Sequence, residues 1–243
     1  EKGWIGLENL ALIPGSVGAA PIQNIGAYGV EVEEYITSVQ YLNAETLDLI
    51  WIDRDKCDFE YRNSIFKKEL KTKAIITEVQ FKLPKNTQLK TDYESLRYFF
   101  SQQGIHNPSQ QQIFDAVIQV RQSRLPDIQT LGSCGSFFKN PLLPSEQIDH
   151  LSTRFPDIKA YPMPSGYTKV AAGWLIEKAV GKGFRKGQVS TYEQQALVIV
   201  HHGGASGDEI CEFASLIHSK VLEMFEISLE AEVQIIKVNG KDI

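Results

Sequence analysis

The chain has 243 residues, 42% hydrophobic and 23% charged, with a formal net charge of −5, enough for one large or two ordinary soluble domains. No apolar run approaches the roughly 20 residues of a membrane helix, and no basic block is interleaved with aromatics, so membrane and nucleic acid are excluded as expected partners in favour of small molecules. Cys57, Cys134 and Cys211 are odd in number, widely spaced and without metal-ligand spacing, which argues against a disulfide framework and for a reducing cytoplasm.

The opening "EKGWIGLENLALIPG" has no initiator methionine, basic n-region or signal-type apolar segment, so the expectation is a fragment or processed chain without an export signal. The first half is expected to be strand-rich and the second more helical. "IPGSVGAAPIQNIGAYG" (13–29) packs glycines and small residues around two amides, a loop whose backbone N–H groups can approach a ligand. A tight structural turn explains the same composition. It lacks both G-x-G-x-x-G and the P-loop pattern. Alternation predicts a hairpin from Ile36–Leu42, the turn "NAET" and Leu47–Ile52, then a strand over Ala74–Leu83 ended by Pro84. A helix follows "HNPS", with Ile113, Ala116, Val117 and Val120 on one face, and ends before Pro126. Further helices are expected over Ser145–Arg154, Ala171–Val180 and Gly207–Glu226, the last striped by Ile210, Phe213, Ala214, Ile217, Val221 and Met224. Strands at Ala196–Val200 and Leu229–Val238 complete an α+β class.

Four polar constellations stand out. In "CDFEYRNSIFK", Arg62 is either a salt-bridged structural residue or a fixed cation facing an anionic centre. In "GSCGSFFKNP", Ser136 lacks the base and elbow that a serine nucleophile needs, and "GASGD" does not fit the elbow either. In "LEAEV", Glu230 and Glu232 share one strand face, usually a solvated edge. His201 and His202 point oppositely on a strand, which disfavours a shared metal.

The strings "GLENLALIPGSVGAAPIQNIGAYG", "FEYRNSIFK", "GSFFKNP", "AAGWLIEKA", "QQALVIV" and "LEAEV", in this order over nearly the whole chain, closely resemble the UDP-N-acetylenolpyruvoylglucosamine reductase (UDP-N-acetylmuramate dehydrogenase) family. "DYESLRYFF" resembles the tyrosine-bearing insertion of its type I branch. The resemblance implies a monomeric cytoplasmic flavoenzyme of peptidoglycan synthesis, with FAD as cofactor, NADPH as reductant and a UDP-sugar substrate. It implies a partial FAD-binding domain of vanillyl-alcohol-oxidase type over 1–125 with 227–243, and an α+β substrate domain over 126–226. Carried across by motif, Arg62 stabilises the developing enolate, Glu232 is its companion at the reacting carboxylate, and Ser136 is the general acid. Tyr93, Arg124, Asn140, Tyr161, Lys169 and Gln195 match substrate contacts, and Ile13, Gly15, Gly18, Ile22, Asn24 and Gly26 match the flavin lining. No metal is implied.

The chain departs from the family pattern at several points. A glycine-rich flavin-cradling segment familiar before "GLENL" is absent, Ala19 replaces a hydroxyl residue, Ala231 a proline and Arg124 a lysine. The expectation is therefore a chain with little activity of its own. Its rivals are a module that keeps only nucleotide-sugar binding and a flavoprotein oxidase of the same fold.

Overall fold

The computed structural model describes residues 3–163 and 165–236. The chain divides into two compact units, Glu1–Arg121 and Gln122–Ile243.

In the first unit, short strands β1 (Gly26–Ala27) and β2 (Val30–Glu31) pair antiparallel, with Gly26 opposite Glu31. Strands β3 (Ile36–Asn43), β4 (Leu49–Asp53) and β5 (Ala74–Phe81) form an antiparallel sheet in the order β4-β3-β5. The expected hairpin is present, with Leu42 opposite Leu49. Its turn is closed by Asn43, whose Oδ1 accepts the N–H groups of Glu45 and Thr46 at 2.9 and 3.2 Å. Leu47 belongs to that turn and not to the strand, at φ +62° and mostly exposed. One sheet face buries Ile36, Val39 and Tyr41 with Val30, Val32, Cys57 and Phe66. Two helices follow, α1 (Glu94–Gln102) and α2 (Gln110–Arg124). The predicted stripe of α2 is buried throughout and packs with Leu96 and Phe100 of α1. Helix α1 was not expected; only one face of its nine residues is apolar, and the four-residue spacing of Leu96 and Phe100 is its signal.

The second unit begins inside α2, four residues before the expected boundary. It contains β6 (Gly132–Ser136), β7 (Leu142–Pro144), α3 (Ser145–Arg154), β8 (Ala160–Pro162), β9 (Tyr167–Val170), α4 (Ala172–Ala179), β10 (Arg185–Lys186), β11 (Val189–Thr191), β12 (Val198–His201) and α5 (Gly207–Phe225). Two antiparallel sheets result, in the orders β10-β11-β12-β6 and β7-β9-β8. The second half carries more helix than the first, as expected, but its short strands β6 to β11 were not expected. Strands of two to five residues are too short for alternation to register in the sequence. Helix α5 presents Phe213, Ala214, Ile217 and Val221 to the core, joined by Phe225 and by Leu175 and Ile176 of α4. Its start is a capping box: the Ser206 hydroxyl accepts the Glu209 N–H at 3.2 Å while the Glu209 carboxylate accepts the Ser206 N–H at 2.8 Å. The serine of "GASGD" is therefore a helix cap.

The segment after α5 is not the expected strand over Leu229–Val238. It forms an isolated antiparallel bridge, Phe138 with Ala231, and residues 237 and 238 lie outside the described ones. Ile227 and Leu229 are buried in the second unit's core, so residues 227–236, expected with the first domain, pack with the second unit. Both fold halves are mixed helix and sheet, in keeping with the α+β class. No helix among the described residues is long and apolar enough to cross a membrane.

Candidate active site

In the first unit, two sequence motifs that lie far apart are fastened together. The loop 22–26 is laid against the segment 60–64 by three side chains. The buried Ser64 hydroxyl donates to the Ile22 carbonyl at 2.7 Å, the Asn24 amide donates to the Glu60 carbonyl at 3.1 Å, and Arg62 Nη2 donates to the Gly26 carbonyl at 2.6 Å. Such bonds tie backbone carbonyls of both segments to side chains from the other. Arg62 has φ +56°, a conformation uncommon outside glycine, so its surroundings hold it against backbone strain. Its guanidinium stacks on the Tyr61 ring at 5.0 Å and lies 3.8 Å from the Glu31 carboxylate. A Cβ on Gly26 would come within 2.9 Å of Arg62 Nη1 and of Glu31 Cγ. The glycine leaves room for both charged side chains.

The six expected flavin-lining residues divide. Asn24 is fully buried, and its amide is committed to Glu31, Glu33 and Glu60 while its carbonyl oxygen accepts the Glu33 N–H. Asn24 and Gly26 thus serve the framework of the loop. Gly15 and Ile22 face solvent, Ile13 and Gly18 do so in part, and the neighbouring Leu12 and Val17 are more than half exposed. Tyr93 stands at the start of α1 with its ring edge-on to Tyr28, centroids 5.3 Å apart.

In the second unit, Ser136 is exposed at the end of β6, opposite Val198. The strand runs on into contact with the tail. Glu232 donates its N–H to the Phe137 carbonyl at 2.8 Å, and Lys139 donates its N–H to the Glu230 carbonyl at 2.8 Å. The backbone of Glu232 is therefore fixed beside Ser136, and Glu230 pairs instead with the Lys139 ammonium. Asn140 Oδ1 accepts the Ala172 N–H at 2.9 Å, closing the first turn of α4. Gln195 reaches the same turn: a Cβ on Gly173 would lie 2.6 Å from Gln195 Oε1, so only glycine admits the amide there. Lys169 and Tyr161 are direct cross-strand partners in β9 and β8, with Leu142 of β7 opposite Lys169 on its other side. The face they share also carries the exposed Tyr167, while Thr168 and Val170 point into the core. Arg124 is exposed as the last residue of α2.

Of the remaining candidates, the His201 ring lies over Gly132 and His202 Nε2 is 3.0 Å from the Ser190 hydroxyl, so the two histidines diverge. Among the described residues no group of His, Cys, Asp and Glu side chains could hold a metal ion. All three cysteines are free, and burial pushes the Cys57 thiol up to about 11, which makes it a poor nucleophile. Glu31 and Glu33 escaped the sequence reading. Their signal was the alternation of acids in "VEVEE", which brings both carboxylates to the Asn24 amide.

The family model described as UDP-N-acetylenolpyruvoylglucosamine reductase, C-terminal domain, matches residues 127–236. The UDP-N-acetylenolpyruvoylglucosamine reductases of Paraburkholderia phytofirmans and Shewanella sp. strain ANA-3 are each 47% identical to the chain, covering 95% and 97% of it. That of Pseudomonas aeruginosa is 44% identical over 96% of the chain. The chain spans 67%, 68% and 68% of those proteins, about two thirds of their length. The solved structure of UDP-N-acetylenolpyruvylglucosamine reductase from Thermus caldophilus shares the fold, with a TM-score of 0.59 and 22% identity over 95% of this chain and 64% of that one. With nearly half its residues identical to such relatives along almost its whole length, the chain belongs to the UDP-N-acetylenolpyruvoylglucosamine reductase family.

Proposed function

We propose that the protein reduces UDP-N-acetylglucosamine enolpyruvate to UDP-N-acetylmuramate for peptidoglycan synthesis, with FAD as cofactor and NADPH as reductant, acting as a cytoplasmic monomer. The observation that carries this reading is the fastening of Glu232 beside Ser136 through the Phe137 carbonyl, which joins the two motifs assigned to the reacting carboxylate and the proton donor. The free cysteines support a reducing compartment.

The residues available for FAD fit a flat ring system in part. Leu12, Val17 and Ile22 of this segment expose apolar side chains that an apolar ring could cover. Ile13, Gly15, Gly18 and Ile22 would line the ring, while Asn24 and Gly26 act one step behind, by shaping the loop. On this reading the first unit belongs to a FAD-binding domain of vanillyl-alcohol-oxidase type, and residues 126–226 hold the nucleotide sugar. When bound, a flavin reduced by NADPH would supply the hydride for the enolpyruvyl methylene carbon.

The protein's own groups then act on the charge that this transfer leaves. Arg62 faces the developing enolate as a preorganised cation, already desolvated and oriented, which favours the transition state over the ground state. Glu232 accompanies it at the reacting carboxylate. The Ser136 hydroxyl donates its proton to the neighbouring carbon. A hydroxyl is a weak acid, but enolate carbon is a strong base, so no histidine need activate it. Lys169 with Tyr161, and Asn140 with Gln195 at the start of α4, supply the nucleotide-sugar contacts, together with Tyr93 and Arg124. The ammonium and guanidinium suit the diphosphate.

The test is Ser136→Ala in anaerobic stopped-flow. Reduction of the flavin by NADPH should stay within twofold of wild type, while its reoxidation by the enolpyruvyl substrate slows about 10²- to 10⁴-fold. Equal slowing of both half-reactions would refute the assignment. Oxygen consumption with an alcohol substrate would favour an oxidase instead.

A further inference from the structure

We infer that Glu31 is a positioning residue for the proposed reaction, holding the Arg62 guanidinium in the orientation that meets the enolate. This role rests on the function proposed for Arg62 and names what aims that cation. Glu31 ends β2 directly opposite Gly26 of β1. Its carboxylate lies 3.8 Å from Arg62 Nη1 through one oxygen and accepts the Asn24 amide at 3.1 Å through the other. Asn24 is itself locked by Glu33 and Glu60. The carboxylate also accepts the backbone N–H of Glu34 in a capping box at the first turn of residues 32–34, and the Glu34 side chain returns the bond to the Glu31 N–H at 3.1 Å. Across the guanidinium, Nη2 is held by the Gly26 carbonyl and the plane rests on Tyr61. Gly26 is the common floor, because a Cβ there would displace Arg62 and Glu31 together.

An arginine on a residue with positive φ has several rotatable bonds between its strained backbone and its reacting end. Two anchors, one on each Nη, remove that freedom before substrate arrives, and this is the condition under which a cation lowers a barrier without reorganising. A bland alternative exists: Glu31 could simply cap the turn after β2. The two roles separate in Glu31→Gln, whose amide oxygen can still accept from Asn24 or the turn but whose charge no longer orients Arg62.

The experiment has two arms on the full chain. In the first, the FAD-loaded protein is studied by anaerobic stopped-flow. Glu31→Gln should leave flavin reduction by NADPH unchanged and slow reoxidation by the enolpyruvyl substrate about 10- to 100-fold. In an Arg62→Ala background the same change should have no further effect. Reoxidation within twofold of wild type, or equal slowing of both half-reactions, overturns the proposal. The second arm needs no cofactor: nitrogen-15 relaxation of the Arg62 Nε–H, assigned through Arg62→Lys, should report a rigid side chain in wild type and a mobile one in Glu31→Gln. Unchanged rigidity also overturns it. Should wild type fail to turn over the enolpyruvyl substrate, the functional reading falls, and the relaxation arm alone decides whether Glu31 positions Arg62.

Discussion

The two units hold their polar residues in place by different means. In the first, an irregular loop is clamped by buried side chains, with Ser64, Asn24 and Arg62 each bonded to a carbonyl of a distant segment. In the second, Ser136 rides on β6 and Lys169 and Tyr161 on a strand pair, while the loop residues Asn140 and Gln195 reach the first turn of α4 with their side chains. A backbone ladder spreads its restraint over many bonds, so any one residue can change with little loss of register. A side-chain clamp concentrates restraint in single atoms. Damage to the first unit's site should therefore be local and chemical, while damage to the second unit should propagate through its core.

The largest expected effect breaks the clamp at its reacting end. Arg62→Ala should slow the enolpyruvyl half-reaction about 10²- to 10³-fold while NADPH still reduces the flavin, measured by stopped-flow. Loss confined to flavin reduction would contradict the role given to Arg62. On the other side of the comparison, Phe213→Ala removes a ring 1% exposed in the core of the second unit. It should cost about 3–5 kcal/mol in urea denaturation. A cost below 1 kcal/mol would mean that the ladder and not the core carries that unit. The smallest effect sharpens the contrast. Ser64→Ala leaves the Ile22 carbonyl without its donor and should cost about 1–3 kcal/mol. Hydrogen exchange should then quicken in residues 22–26 and stay unchanged in β12. Uniform quickening would show the clamp to be part of the global core.

Much of the framework was legible because its signals are local. The stripe of α5 lies at helical spacing, and every one of its expected core positions is buried or packed on the core. The Asn43 turn sits between two alternating runs and closes the hairpin as expected. What escaped has non-local causes. Strands β7, β8 and β9 have three or four residues each, and only their pairing makes them strands. The tail over 229–236 alternates like a strand, yet Ala231 pairs in an isolated bridge with Phe138, a contact set by the distant segment Phe137–Lys139. At the candidate site, motif carried Arg62, Ser136 and Glu232 into view, but spacing could not tell Asn24, which holds the loop, from Ile22, which faces outward. The alternating acids marked Glu31 but not its partner, since Arg62 is distant in the chain.

By itself the sequence determined the helices other than α1, the hairpin and the family, because periodicity, capping and ordered motifs are properties of neighbouring residues. Tertiary structure alone decided that Gly26 serves as a floor for an ion pair, that Asn140 and Gln195 meet at one helix start, and that the tail seats Glu232 beside Ser136. Each of these is a contact between groups far apart along the chain, set by how the burial of the apolar faces brings segments together and by the buried carbonyls and charges that must then find partners.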